Sequence, residues 1–274
     1  NLKDVADNER YTFVQGDITI FSQILDVFET HNITHVIHLA ALQIPFCKED
    51  PVMGARVNVV GTLNIFEAAR RAGIGHLAYA SSVGIYGPPE EQTNSLSYIT
   101  ASKRPQTLYG VYKIANEGSA RIYWQDHQVS STGLRPYIVY GPGRDQGLTS
   151  DPTKAILAAV VGKPFHINYG GVAQYHFVSD VALQFIEAAL KPLNGAYSFD
   201  LGTAPHTMEE FVKIIRHYKP EAEITYEADV QLPFPTCDGR ELRHYFPQVV
   251  QTPLTEGIEK TIAHFEQCLI DGRI

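Results

Sequence analysis

The stretch "THVIHLAA", Thr34 to Ala41, is almost entirely apolar and lies between two helical patterns. A strand that is apolar on both faces belongs in a parallel sheet covered by helices on each side. The neighbouring segments repeat the arrangement. "YTFVQGD" reads as a short strand, and "TIFSQILDVFETH" has helical spacing through Ile20, Ile24, Leu25 and Phe28. "PVMGARVNVVGTLNIFEAARRAG" reads as a long helix stopped by Gly73. "HLAYASS" is the next strand, a helix carrying "LYGVYKIANEG" follows, and "STGLRPYIVYG" is a further strand. Strands alternating with helices of this length predict an α/β chain with a doubly wound parallel sheet. Such sheets bind ligands outside the carboxyl ends of their strands. That rule collects Ala40, Ala41, Ser81, Ser82 and residues 136–141 on one rim.

Beyond residue 145 the pattern loosens. "DPTKAILAAVVGK" reads as a helix, "FHINYGG" as a strand, and "SDVALQFIEAALK" as a helix with Ser179 or Asp180 as N-cap. "AYSFDLG" is a strand, and "TMEEFVKIIRHY" a helix opened by a capping box of Thr207 and Glu210. Pro220, Pro233, Pro235 and Pro247 then interrupt any long regular element. This part is expected to form a smaller C-terminal lobe over the rim.

The 274 residues carry a net charge of -8 and no basic stripe, which argues against a nucleic-acid partner. No apolar run approaches a membrane span, and "NLKDVADNER" lacks a signal-peptide pattern. Cys47, Cys237 and Cys268 are odd in number and widely spaced, which fits a reduced, cytoplasmic protein. "HVIH" suggests metal ligands, but positions three apart on a strand face opposite sides, so no metal site is expected there.

"LYGVYK" places Tyr109 and Tyr112 ahead of Lys113. On a helix, residues four apart share a face, so Lys113 belongs with Tyr109, while Tyr112 is expected to pack. A free tyrosine titrates near pH 10, too high for a base at neutral pH. A lysine on the same face favours the phenolate, which makes Tyr109 the candidate acid/base. Taken alone, the spacing fits a surface helix with aromatic anchors better. Ser81 and Ser82, at the end of the preceding strand, bring hydroxyls to the same edge.

Together, "GDI" (16–18), "HLAA" (38–41), "NVVGTLNIFEAAR" (58–70), "SSVGIYG", "YGVYK" and "LRPYIVYGPG" resemble the extended short-chain dehydrogenase/reductases, the NAD-dependent epimerase/dehydratase group. The resemblance covers nearly the whole chain. It implies a Rossmann-type dinucleotide-binding domain in 1–145, with 175–203 returning to it, and a substrate-binding lobe in 146–174 and 204–274. By the same resemblance Tyr109 is the catalytic base, Lys113 contacts the cofactor ribose and tunes Tyr109, and Ser82 holds the reacting oxygen. Asp17 and Ile18 are implied at adenine, Leu39, Ala40 and Ala41 along the cofactor backbone, and Asn58 at the neighbouring loop. Pro136 and Ile138 are implied at the nicotinamide side. Gln43, Ser82, Tyr86, Arg144, Tyr175 and His176 are candidates for substrate contact, with core packing the alternative for Tyr175 and His176 and a solvent-exposed loop that for Arg144.

Two departures qualify the resemblance. No Gly-rich turn joins a first strand to a helix; "GPGRDQG" has the wrong spacing and follows a late strand. The expectation is that a βαβ piece of roughly 30 residues or more lies outside this sequence, along with the residue selecting NAD over NADP. The second departure concerns substrate. Nucleotide-sugar members resemble "RDFVHVDDVA", with a diphosphate-gripping arginine; here "AQYHFVSDVA" puts Ala173 in its place. No basic residue occurs between Lys219 and Arg240 either. A diphosphate would lack its bidentate partners. Ser82-Val83-Gly84 also stands where the dehydratase branch resembles Thr-Asp-Glu, so elimination lacks its acid pair.

The expected function is therefore an NAD(P)-dependent oxidoreductase, acting at a secondary alcohol of a small sugar, sugar acid or hydroxy acid. A nucleotide-sugar epimerase with a transient 4-keto intermediate is the alternative, and a silent NAD(P)-sensing or scaffold protein the non-enzymatic one. The resemblance also pairs two long helices, 51–72 and 106–127, into an intersubunit four-helix bundle, and so implies a homodimer.

Overall fold

The protein is described by a computed structural model covering residues 8–88 and 103–274. In chain order the helices are α1 (Phe21–Thr30), α2 (Ile44–Glu49), α3 (Pro51–Ala55), α4 (Gly61–Arg71), α5 (Leu108–His127), α6 (Asp151–Val160), α7 (Val178–Leu190), α8 (Met208–Tyr218), α9 (Arg240–Tyr245) and α10 (Leu254–Ile270). The strands are β1 (Ile37–His38), β2 (His76–Ala80), β3 (Ser130–Arg135), β4 (Ile138–Tyr140), β5 (Phe165–Ile167), β6 (Val172–Phe177), β7 (Ala196–Asp200), β8 (Pro205–Thr207) and β9 (Ile224–Tyr226).

The main sheet runs β1-β2-β3-β7, every pair parallel. On one face Phe28 of α1, Ile65, Phe66 and Ala69 of α4, and Ala120 of α5 pack with Leu77 and Tyr79. On the other, Val181, Phe185 and Ala188 of α7 meet Ala78, Leu134 and Phe199. Helices on both faces of a parallel sheet make the doubly wound α/β architecture that the alternating pattern predicts. A second core joins the small sheet β4-β6-β8 to α6, α8 and α10, through Tyr140, Ile156, Tyr175, Phe211 and Ile258.

Several local expectations are corrected. Tyr11–Asp17 forms no strand among the described residues, and Phe13 is 65% exposed; β-forming residues make a strand only beside a neighbour that pairs with them. The single strand expected over "STGLRPYIVYG" breaks at Pro136, which has no N–H for a ladder. The chain changes sheets there, β3 pairing with β2 and β7 while β4 pairs with β6. The N-cap of α7 is Phe177, and Asp180 instead accepts from Thr252 N (2.6 Å) and Oγ1 (2.9 Å). The capping box of Thr207 and Glu210 is formed as expected. Gly73, with φ +73°, follows the end of α4, as its stop-signal role requires.

Candidate active site

α5 supplies two of the candidate residues, and its docking is set by its first turn. The Thr107 hydroxyl accepts from Gly110 N (3.1 Å) as N-cap. A Cβ on Gly110 would sit 2.1 Å from the Gly84 carbonyl oxygen. Only glycine lets the helix come this close to the turn that follows β2. The Ser82 hydroxyl in that turn accepts from Gly84 N (3.0 Å) and is within hydrogen-bonding reach of the Tyr109 phenol.

One turn along α5, Lys113 is fully enclosed. Its Nζ lies 5.5 Å from the Tyr109 ring centroid and donates to the Ala80 carbonyl (2.6 Å). Tyr112 points elsewhere, donating to the Pro51 carbonyl (2.8 Å) and packing beside Gly54. Helical spacing therefore separates the two tyrosines as expected: Tyr109 lines the cavity with Lys113, and Tyr112 packs away from it.

These groups open on a cavity of about 360 Å³ at the carboxyl edge of the main sheet. It gathers Leu39, Ala41, Gln43, Ser82, Tyr109, Lys113, Pro136 and Arg144 from the residues singled out in the sequence. One wall is apolar, built from Val178, Val181, Ala182 and Phe185 of α7. Tyr137 and Phe234 form another, with rings edge to face at 5.8 Å and the Tyr137 hydroxyl donating to the Phe234 carbonyl (3.0 Å).

Burial sets the electrostatics. It lowers the Lys113 pKa to about 8, while Cys47 and Glu117 act to raise it. It raises the Tyr109 pKa, opposed by the Ser82 hydrogen bond and the Arg144 charge. The expectation that Lys113 would draw the phenol down is corrected in this state: the cation acting on Tyr109 is Arg144. The Lys113 ammonium faces the Ala80 carbonyl and lies beside the ring, away from a direct bond to the phenol oxygen.

Other sequence candidates lie off the cavity. Asn58 is buried in a π turn (Arg56–Val60) that links α3 to α4. Its side chain grips Leu42, accepting from N (2.7 Å) and donating to O (2.8 Å), and so fastens the loop beside the rim. Asp17 folds back to accept from Thr19 N (2.8 Å), which lowers its pKa. The Ile18 carbonyl accepts from Asn64 (2.8 Å), and Ala40 is exposed. Ile138 is fully buried in the second core rather than presented to the cavity.

Three substrate candidates are likewise corrected. Tyr86 turns inward, its hydroxyl donating to Asp200 (2.9 Å) and accepting from Arg135 (3.1 Å). Tyr175 stacks on Phe211 at 4.8 Å, and His176 is enclosed, with its pKa lowered to about 3 by burial. Both belong to a strand covered on its two faces, where alternation does not reveal which side chains reach a ligand. His38 of the "HVIH" run is buried and bonded to Thr62 (3.0 Å).

Sequence motifs alone miss a buried network behind the site. Glu117 accepts from Ser81 Oγ (2.6 Å), from Arg135 Nε (2.6 Å) and Nη2 (2.9 Å), and from Lys103 Nζ (2.6 Å). Glu117 follows Lys113 by four residues, the same spacing that links Lys113 to Tyr109, and that is its available signal. Thr149, Tyr137 and Phe234 also line the cavity, from distant stretches with no such signal.

Residues 1–200 match the NAD dependent epimerase/dehydratase family. A UDP-glucose 4-epimerase from Mycolicibacterium smegmatis is 28% identical over 97% of this chain and 86% of its own length. The Thermus thermophilus UDP-glucose 4-epimerase, solved with NAD, is 26% identical, with a TM-score of 0.81 over 96% of this chain and 89% of that one. A partial consensus L-threonine 3-dehydrogenase superposes with a TM-score of 0.85 at 24% identity, covering 97% of this chain and 89% of that one, and so shows the shared fold. With its parallel sheet and the match running through the Ser82, Tyr109 and Lys113 segments, the chain belongs to the NAD dependent epimerase/dehydratase family.

Proposed function

We propose that the protein is an NAD-dependent oxidoreductase acting at a secondary alcohol of a small sugar, sugar acid or hydroxy acid. The observation that carries this reading is the convergence of the Ser82 hydroxyl, the Tyr109 phenol and the Lys113 ammonium at one cavity. The cofactor fits these residues. An ammonium has three N–H donors, and one of those on Lys113 serves Ala80, which leaves donors for ribose hydroxyls. The apolar α7 wall and Pro136 suit the face of a nicotinamide ring. Asp17, Ile18, Leu39, Ala40 and Ala41 would line the course of the cofactor, with Asn58 bracing the loop beside it. When bound there, NAD supplies the hydride acceptor.

The chain's own residues manage the proton. Ser82 accepts from Gly84 N, and its O–H exchanges the Tyr109 phenol for the substrate oxygen when substrate binds. Tyr109 takes the carbinol proton as the C–H electron pair departs, leaving a ketone. The Arg144 charge lowers the cost of the phenolate against burial. We assign residues 1–145 and 175–203 to cofactor binding, and 146–174 and 204–274 to the substrate lobe.

An epimerase uses the same three residues and retains the ketone, and the likeness to UDP-glucose 4-epimerases favours that second reading. Ala173 weighs against it: the position that would carry a diphosphate-binding arginine is buried in an apolar cluster. The test is turnover of free sugars, sugar acids and nucleotide sugars with NAD. Accumulating NADH with an unphosphorylated substrate, lost in Tyr109→Phe, supports the dehydrogenase. Inversion of a nucleotide sugar without net NADH supports the epimerase.

We further propose a homodimer. Leu108, Val111 and Ile122 form an exposed stripe on α5, beside exposed Val52, Met53 and Val60 on the adjoining helix. Among the described residues no helix is long and apolar enough to cross a membrane. The free, buried Cys47, Cys237 and Cys268 support a reducing, cytoplasmic setting.

A further inference from the structure

We propose that Arg144 is a carboxylate subsite, so that the substrate is a small hydroxy acid docking its acid group on Arg144 while its hydroxyl meets Tyr109 and Ser82. This inference rests on the dehydrogenase reading of the same cavity and narrows its substrate.

The two arginines near the site differ in kind. Arg135 is neutralised within the fold, by Glu117 at 2.6 Å and Asp200 at 3.6 Å. Arg144 lines the cavity with no carboxylate in ion-pairing distance among the described residues. The acidic side chain acting on it, Asp145, is exposed and makes no ion pair with it. Arg144 is half-buried, and a guanidinium partly withdrawn from water without an anion is costly; that burial lowers the Arg144 pKa.

The neighbours orient the guanidinium without neutralising it. Nη2 donates to Thr149 Oγ1 (3.2 Å). With the Gln43 amide turned so that its nitrogen donates to the Gln146 carbonyl (3.3 Å), its oxygen accepts from Nη1 at 2.8 Å. Gly147, at φ +90°, makes room for this: a Cβ there would overlap the Gln43 side chain. Nε is buried and has no partner. A guanidinium has five N–H donors in a planar fork, so an edge remains for the two oxygens of a carboxylate.

Charge and size restrict what that anion is. Lys113, the buried cation of the cavity, is held by the Ala80 carbonyl and stands on the Tyr109 side, where its remaining donors serve the cofactor. A single free guanidinium matches a monoanion better than a phosphate ester or diphosphate. Tyr137 and Phe234 close one wall, and a cavity of about 360 Å³ must also admit the nicotinamide. Arg144 and Tyr109 line this same cavity. The carboxylate and the reacting hydroxyl therefore belong to one short molecule.

The test is equilibrium binding to the intact protein, by calorimetry or ligand-observed NMR. The probes are lactate, glycerate and 3-hydroxybutyrate against propane-1,2-diol, glycerol and butane-1,3-diol, with inorganic phosphate as a competitor. The acids should bind at least about tenfold tighter than the matched neutral alcohols. Arg144→Gln should abolish that preference, Arg144→Lys should retain part of it, and Ser82→Ala should keep it. Equal binding of acids and alcohols by the wild type, or an acid preference surviving in folded Arg144→Gln, overturns the subsite. Phosphate binding tighter than every acid overturns the carboxylate assignment. The wild-type comparison stands even where a variant fails to fold, which melting curves report. Acid binding through Arg144 without any Tyr109-dependent oxidation would sink the proposed function and leave the subsite. Tyr109-dependent oxidation of neutral sugars, unimpaired in Arg144→Gln, would do the reverse.

Discussion

Lys113 shows how one residue's surroundings become a measurable property. Its ammonium is enclosed and held by a single carbonyl, and burial brings its pKa to about 8, below the ordinary 10.5. Below pH 8 both folded and unfolded chains carry this proton, so the buried charge weakens the native state by its full amount. Between about pH 8 and 10.5 the native amine loses its proton first, and the penalty disappears. Relative to Lys113→Met, the wild type should therefore gain up to about 3 kcal/mol across that window. Denaturant unfolding of both proteins along a pH series reads this directly, and a constant difference would contradict the assigned environment. Helical spacing in the sequence was enough to pair Lys113 with Tyr109, because an i, i+4 relation is fixed by geometry. It was not enough for Arg144, Tyr86 or His176. Their positions depend on loop paths and strand faces that no local pattern encodes. Arg144 faces the cavity, while the other two are committed to the interior.

At the scale of elements, the site depends on how closely α5 meets the turn after β2. Gly110→Ala would place a methyl 2.1 Å from the Gly84 oxygen and 2.7 Å from Pro105 Cβ. The helix must withdraw, carrying Tyr109 away from Ser82. Overpacking of this kind costs about 1–3 kcal/mol, and a displacement near 1 Å can cost about 10²-fold in rate. Melting and turnover of Gly110→Ala should fall together, whereas Gly118→Ala inside the same helix meets nothing within 4 Å and should raise the melting point slightly while leaving turnover unchanged. The long helices, the strands covered on both faces and the capping box of α8 were legible because each is a periodic or local signal. Two features were not. The π turn around Asn58 has helical composition, and the break at Pro136 lies inside a run with strand composition throughout. Both are decided by tertiary contacts, and both help build the rim: Asn58 braces Leu42, and Pro136 lines the cavity.

The whole molecule presents apolar surface on the face formed by α5 and the helix from Pro51 to Arg71. Val111 is 44% exposed and Val52 65%. Two such faces buried against each other give the proposed homodimer a hydrophobic driving force. Light scattering should report a dimer for the wild type and a shift toward monomer for Val111→Glu combined with Ile122→Glu. A wild type that is monomeric at every concentration would rule the dimer out. The fold class followed from alternation alone, since a chain of βαβ units has few ways to cover its sheet. The enclosure of the cavity by Phe234 and Tyr137 joins residues 97 positions apart, and contacts of that range leave no periodic trace.

The central claim is that Tyr109 removes a proton from a carbinol whose hydride leaves the same carbon. Its most direct test uses a turned-over substrate carrying deuterium at that carbon, followed by mass spectrometry of the nicotinamide. Deuterium is expected in the reduced cofactor with the wild type, and a rate lower by about 10²–10⁴-fold in Tyr109→Phe. Deuterium retained in the product without any reduced cofactor intermediate, or full turnover by Tyr109→Phe, would contradict it.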